Sequence, residues 1–278
     1  LAYNVVILAD SVSPRGKRLT TMELTYPRII HAEMMTHRMF SRNAASSRAI
    51  PTKKIRKAVW DNPFIPTYLG KNQAGMQAKA ELTGWRRWAA IQVWIAASRI
   101  AVFVSWLFEL IGLHKQLANR VLEPFQWYTA IFTATEWDNF FALRCHPDAQ
   151  PEIQTIAVMM REAREASTPK RLAYGEWHLP LTPDLADLQQ AFGLEDIVSA
   201  SVGRCARVTH VTHNGVRDAV DDIAMTGRLT TAGHMSPLEH AATPADDDEF
   251  YGNLCGWVSR RKMIPNEHDF SLVTKAVA

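Results

Sequence analysis

From Leu19 onward apolar and polar positions alternate, with Met22, Leu24 and Tyr26 set against Thr21, Glu23 and Thr25. That period of two is the pattern of a half-buried strand. A shorter apolar run, Val5 to Leu8, closes at Asp10 and Ser11 and reads as an earlier strand, followed by a turn around Pro14, Arg15 and Gly16. Pro27 suits the first turn of a helix in which Ile30, Met34 and His37 recur at spacings of four and three. Such a helix would carry His37 and Arg38 at its C-terminal end and leave Ser46 and Arg48 in the next loop.

Further on the period changes to that of helices. Thr135 with Asp138 marks a helix start, and a helix from Asp148 to Ala166 would turn Ile153, Ile156, Ala157 and Met160 inward and Glu162, Arg164 and Glu165 outward. Asp184 to Val202 and Arg217 to Leu229 also read as helical, joined to what precedes by a proline-rich connector over Thr168 to Pro183. Asn62 to Gly75 is loop-like, and the basic group Lys53, Lys54, Arg56 and Lys57 reads as a solvated helix face. His114 to Pro124, with Arg120, continues in helical style.

Trp85 to Leu113 is apolar almost all the way round, with Trp88, Ile91, Ile95, Val102, Trp106, Leu110 and Leu113 on one broad stripe. Gln92, Arg99 and Glu109 interrupt it, and a central charge costs about 2.5–3.5 kcal/mol on membrane insertion. A spanning helix prefers roughly twenty unbroken apolar residues. The segment is therefore expected to be a helix buried in an oligomer core, not in a membrane.

The chain has 278 residues, 47% hydrophobic and 21% charged, which suits one large α/β or α+β domain over 1–278 with a helical insertion around 52–113. A net charge of +3 is too small to argue for a nucleic-acid partner. Cys145, Cys205 and Cys255 are three, widely spaced and without a CxxC pair, which favours a reducing cytoplasm over a disulfide framework or a thiolate metal site. The opening Leu1-Ala2-Tyr3-Asn4 lacks the basic and apolar regions of a signal peptide, and the missing Met suggests a trimmed start.

Candidate chemistry gathers at Thr36-His37-Arg38-Met39-Phe40-Ser41-Arg42-Asn43-Ala44-Ala45-Ser46-Ser47-Arg48, where three arginines, three serines and a histidine share thirteen residues. Guanidinium forks and hydroxyl donors suit phosphate or carboxylate recognition. Together with Glu136-Trp137-Asp138-Asn139 through Arg144, with Asp148-Ala149-Gln150-Pro151-Glu152, and with Ala206-Arg207-Val208-Thr209 and Ser236-Pro237-Leu238-Glu239-His240, this stretch resembles the flavin-dependent thymidylate synthases. Their hallmark is an Arg-His-Arg triplet, seven residues, then Ser-x-Arg; here Thr36-His37-Arg38 and Ser46-Ser47-Arg48 keep that spacing. The resemblance runs from about Leu19 to His240 and is thin between Thr52 and Leu113.

The resemblance implies an α+β fold with a central, mostly antiparallel sheet and long packed helices. It implies reductive methylation of dUMP at C5, with FAD as cofactor and methylene-tetrahydrofolate and NADPH as co-substrates, in a homotetramer whose sites lie between subunits. By matching positions, Ser46 and Arg48 would grip the dUMP phosphate, with Arg120 as a second phosphate ligand. Arg144 would read the pyrimidine and stabilise negative charge developing on it. His37, Arg38, Asn139 and His240 would contact the flavin, while Gln150 and Glu152 brace a helix. No protein nucleophile is expected, because flavin and folate carry the difficult steps. Asn139 and Arg144, five positions apart and about 140° around a helix, would serve different ligands or different parts of one.

The departures are Thr36 for the first arginine of the triplet, Ala44 for a usual glutamate and Ala49 for a usual aromatic residue. The segments holding Arg207 and His240 also follow the triplet where the family usually has them before it, as in a circular permutation. The tail, Trp257 to Lys262 and then Asn266-Glu267, echoes the spacing from the triplet to Asn-Glu and would supply the missing charges. Two alternatives stay open: a flavin- and folate-dependent pyrimidine hydroxymethylase, and a catalytically silent FAD or nucleotide binder.

Overall fold

The computed structural model describes residues 2–269 apart from 76, 213, 214 and 266. The alternating start of the chain forms a hairpin of β1 (Asn4–Val12) and β2 (Arg18–Pro27), closed by a turn in which Gly16 takes φ of 83°. Pro27 ends β2 instead of opening a long helix. Only a 3-10 turn (Arg28–Ile30) and α1 (His31–Met34) follow, so His37 lies in a turn beyond the helix. A short strand not anticipated from the pattern, β3 (Ser41–Ala44), comes next.

Helices α2 (Thr52–Asp61) and α3 (Gly84–Leu110) pack together, then α4 (Lys115–Ala118) and a 3-10 segment (Arg120–Phe125) lead into β4 (Trp127–Ala134). After it come α5 (Asp138–Arg144), α6 (Pro151–Ala166) and the short β5 (Lys170–Arg171). The segment expected as one helix from Asp184 is two, α7 (Leu185–Ala191) and α8 (Leu194–Arg207), broken at Gly193. Beyond α9 (Ala219–Thr231) and a 3-10 turn (Ser236–Glu239), β6 (Ala242–Pro244) pairs with β9 (Trp257–Ser259), and β7 (Phe250–Tyr251) with β8 (Leu254–Cys255).

The main sheet has the order β3-β4-β2-β1-β5, antiparallel except for β5 against β1. This is the mixed, mostly antiparallel architecture that the family resemblance implied. Alternation sorts its side chains. On one face Met22, Leu24 and Tyr26 of β2 meet Ala130, Phe132 and Ala134 of β4 and pack against Ile153, Ile156, Ala157 and Met160 of α6. The other face is no solvated surface: Thr21 and Thr133 are fully buried there, and Ile131 packs with Leu181, Cys205 and Val208. The half-buried strand is thus a doubly covered one.

The second face is covered by α8 and the segment bearing Leu181, and α9 packs in turn on α8 so closely that a Cβ on Gly203 would fall 2.2 Å from the carbonyl oxygen of Asp222. Beside that crossing the fully buried Arg204 donates from Nε to Asp222 at 2.7 Å and from Nη2 to Asp184 at 2.9 Å. Arg207 pairs with Asp221 and Asp222. These carboxylates satisfy charges that would otherwise be very costly to bury.

Candidate functional site

Strand β3 joins the two halves of the Thr36–Arg48 stretch, and its pleat sends neighbouring side chains to opposite faces. Arg42, paired in register with Phe132, donates from Nη1 to the His37 carbonyl at 2.9 Å. Asn43, paired with Ile131, points the other way. Its Nδ2 donates to the Cys205 carbonyl at 2.7 Å and the Ala206 carbonyl at 3.3 Å, and its Oδ1 accepts from Ser236 Oγ at 3.4 Å. One amide therefore ties the motif strand to the end of α8 and to the Ser236–Glu239 turn, three segments far apart in sequence.

On the α5–α6 face Arg144, at the end of α5, donates from Nε to His37 Nε2 at 2.9 Å. Arginine has no acceptor, so His37 Nε2 must carry a lone pair and its proton must sit on Nδ1. Burial first, then the guanidinium groups of Arg144 and Arg42, hold the His37 pKa below the usual histidine value, which keeps the ring neutral. Phe140 meets the same ring edge-on at 4.8 Å between centroids. Among the described residues the outer nitrogens of Arg144 make long contacts, 3.5 Å to Thr36 Oγ1 and 3.6 Å to Glu33. Their donor capacity is largely free. Arg38, next to His37 in the chain, and Asn139, on the same helix as Arg144, are both exposed.

At the other end of β3 the loop bearing Ser46 and Arg48 is exposed but firmly anchored. The buried Asn119 donates from Nδ2 to the carbonyls of Ser47 (2.7 Å) and Ile50 (3.2 Å), and Lys115 donates to that of Ala49 at 3.2 Å. Arg120 follows this anchor directly in the chain, and its own Nη1 pairs with Glu123 at 2.7 Å. A cleft of about 430 Å³ opens between that loop, α2 and the start of β4, lined by Ser47, Lys54, Ile55, Phe125, Trp127 and Tyr128.

His240 is on the opposite face of the sheet from His37 and Arg144, and it is wholly buried. Its Nδ1 lies 2.7 Å from Thr133 Oγ1, which lies 2.7 Å from Thr21 Oγ1. Thr21 reaches His178 Nε2 at 2.8 Å, and His178 Nδ1 reaches Ser11 Oγ at 2.8 Å. Both imidazoles are pushed down to about 3, chiefly by burial. Among the described residues His240 Nε2 has no hydrogen-bond partner.

The tail charges meet one another and the Ser236–His240 segment. Arg261 donates to Glu239 and, at 2.7 Å, to Glu267; Lys262 also pairs with Glu267, and Arg260 with Glu195 at 2.7 Å. Arg261, Lys262 and Glu239 line a cleft of about 210 Å³ that includes Ser41 of β3. Asn266 lies outside the described residues. Gln150 donates to Glu152 at 2.9 Å, the local bracing expected of that pair.

The fold thus unites His37 with Arg144 and brings Asn119, the neighbour of Arg120, to the Ser46–Arg48 loop, and it separates His240 from His37 and Arg144 within one chain. Sequence reasoning missed Asn43, Asn119 and Thr133. Asn43 stood inside the motif and could have been noticed; the other two act through strand register and loop anchoring, which leave no spacing signal.

The family profile described as "Thymidylate synthase complementing protein" matches residues 13–170. Comparison with curated proteins finds no match. Among solved structures, the UMP/dUMP methylase PolB of Streptomyces cacaoi bound with 5-Br UMP aligns at 16% identity and TM-score 0.47, covering 58% of this chain and 88% of that one. The same methylase bound with 5-Br dUMP aligns at 18% identity and TM-score 0.44, covering 52% of this chain and 66% of that one.

Proposed function

Since the chain belongs to the thymidylate synthase complementing protein family, the flavin-dependent thymidylate synthases, we propose that it methylates dUMP at C5 to give dTMP, using FAD, methylene-tetrahydrofolate and NADPH. The observation that carries this reading is the Arg144–His37 contact, which joins the two most specific motifs into one device.

The residues suit such ligands. Arg38 and Arg48 have no acidic partner among the described residues, so their guanidinium groups are available to phosphate or diphosphate oxygens. When bound, flavin and folate supply the electrons and the one-carbon unit. The chain's own work is then positioning and charge. Ser46, Arg48 and Arg120 hold the nucleotide phosphate on a loop fixed by Asn119. Arg144, steered by neutral His37, presents its outer N–H groups to a uracil carbonyl and stabilises negative charge that develops there. Arg38 and Asn139 flank the flavin. His240, wholly buried behind the sheet from Arg144, does not reach the ligands in this reading and serves by holding Thr133 of β4, while the complete site is built between subunits of a homotetramer.

The test is to purify the protein, record its visible spectrum, add the three substrates and weigh the nucleotide. A flavin spectrum and a product one methyl group heavier than dUMP support the proposal. A hydroxymethylated product, or flavin binding without any product, overturns the stated reaction.

A further inference from the structure

The cleft of about 430 Å³ beside the Ser46–Arg48 loop has a wall that the reaction above does not use. Ser47 belongs to that wall, whereas among the described residues Ser46, Arg48, Arg120, His37 and Arg144 do not. Its apolar part is Ile50 of the loop, Ile55 and Val59 of α2, and Phe125 at the end of the 3-10 segment before β4. Ile55, Val59 and Phe125 are core residues where α2 packs against α3, so this side of the cleft is preformed.

The polar groups on the wall are donors that lack an acceptor. Gln126 is only 8% exposed, and its backbone is held at both ends, donating to the Glu123 carbonyl at 3.2 Å and accepting from the Arg28 N–H at 2.9 Å. Its Nε2 has no hydrogen-bond partner among the described residues, and neither has Nε1 of Trp127. An amide can be turned end for end, but an indole N–H only donates. Tyr3 and Phe64 meet the Trp127 ring edge-on, at 5.2 and 5.5 Å between centroids, and hold the indole in place. Lys54 adds a cation with no acidic partner among the described residues, while Asp61, the acid on the wall, is taken by Lys57 at 2.6 Å. Buried donors left unpaired cost free energy that a bound acceptor returns. Water is a poor occupant, since it needs about two to four polar partners and most of this wall is aliphatic or aromatic.

We propose that the cleft is a second small-molecule site, taking a flat aromatic carboxylate whose ring lies against Phe125, Ile55 and Val59 and whose oxygens answer Lys54, Gln126 and Trp127. A ring suits a wall with aromatic members, and a mostly apolar cleft with a few polar groups is the usual form of such sites. A phosphate dianion fits less well, because it would face one cation and shed its water against hydrocarbon. The proposal does not rest on the reaction assigned above.

The full chain is titrated by calorimetry with three probes. They are 2-naphthoate, naphthalene-2-methanol, which keeps the rings without the charge, and cyclohexanecarboxylate, which keeps the charge without the rings. The expected result is saturable one-to-one binding of 2-naphthoate with a Kd on the order of 0.1 mM, and about tenfold weaker binding of the other two. Lys54→Met, at an exposed position, should weaken 2-naphthoate about fivefold and leave naphthalene-2-methanol unchanged, and Gln126→Leu should weaken the carboxylate several-fold. Saturating dUMP should not displace it, because Ser46, Arg48 and Arg120 are not part of the wall. Absence of saturable binding, equal binding of the three probes, or an affinity that Lys54→Met does not move overturns the proposal. Displacement by dUMP also overturns it, by putting the carboxylate at the phosphate loop. Binding of 2-naphthoate by a chain that takes no dUMP upholds this site and counts against the reaction instead.

Discussion

Arg144 commits one donor to His37 and keeps its outer edge loosely held, so its removal should affect chemistry more than folding. Arg144→Ala is expected to abolish turnover while flavin stays bound, measured by the visible spectrum beside product formation. Arg48→Ala should instead raise the dUMP KM by roughly 10- to 100-fold, since a charge-assisted contact contributes about 1.5–3 kcal/mol. Flavin loss from the first variant with unaltered dUMP affinity would mean that the two ligands are exchanged. His178 and His240 set a pH dependence of a different kind. Both are neutral in the fold, with pKa values lowered to about 3, so below about pH 6.5 the unfolded chain binds protons that the native one refuses. Stability is therefore full above that pH and is lost as pH falls, by about 1.4 kcal/mol per unit for each histidine. Urea midpoints between pH 7 and 5 should show this slope, and His178→Gln, which keeps a hydrogen-bonding side chain without titrating, should flatten it.

Between elements the decisive contacts are close approaches and single amides. Gly203→Ala would drive a methyl group into the Asp222 backbone at the α8–α9 crossing, and a loss of several kcal/mol is expected on thermal or urea unfolding. Asn119→Ala should cost about 1–3 kcal/mol by leaving the Ser47 and Ile50 carbonyls without their donor, and should weaken dUMP binding through the freed loop. Much at this scale was legible in the sequence: the alternation of β2, the inward face of α6, and the long apolar α3 follow from periodicity alone. The turn after Pro27 was not, because Ile30 and Met34 keep helical spacing even though the chain leaves the helix at Met34. Nor were β3 and β4, whose pairing across more than eighty residues has no local signature. Arg204, beyond the helix expected over Asp184 to Val202 and unmarked in the sequence, proves to be a buried ion-pair hub because its carboxylates arrive from α7's N-cap and from α9.

At the scale of the whole molecule the main sheet is a partition. His37, Arg42 and Arg144 occupy one side, and Asn43, Thr133 and His240 the other. His240→Gln should therefore leave the flavin spectrum unchanged, because the buried ring braces Thr133 and does not face a ligand; loss of flavin from that variant would place the histidine at the cofactor. The four residues of β3 hold that partition together, because Arg42 and Asn43 are adjacent and oppositely directed. Adding or deleting one residue in the strand would exchange their sides and break both attachments in the same event. Length variation among descendants of this chain should accordingly collect in the 62–83 and 208–218 connections, while β3 accepts substitutions but no change of length.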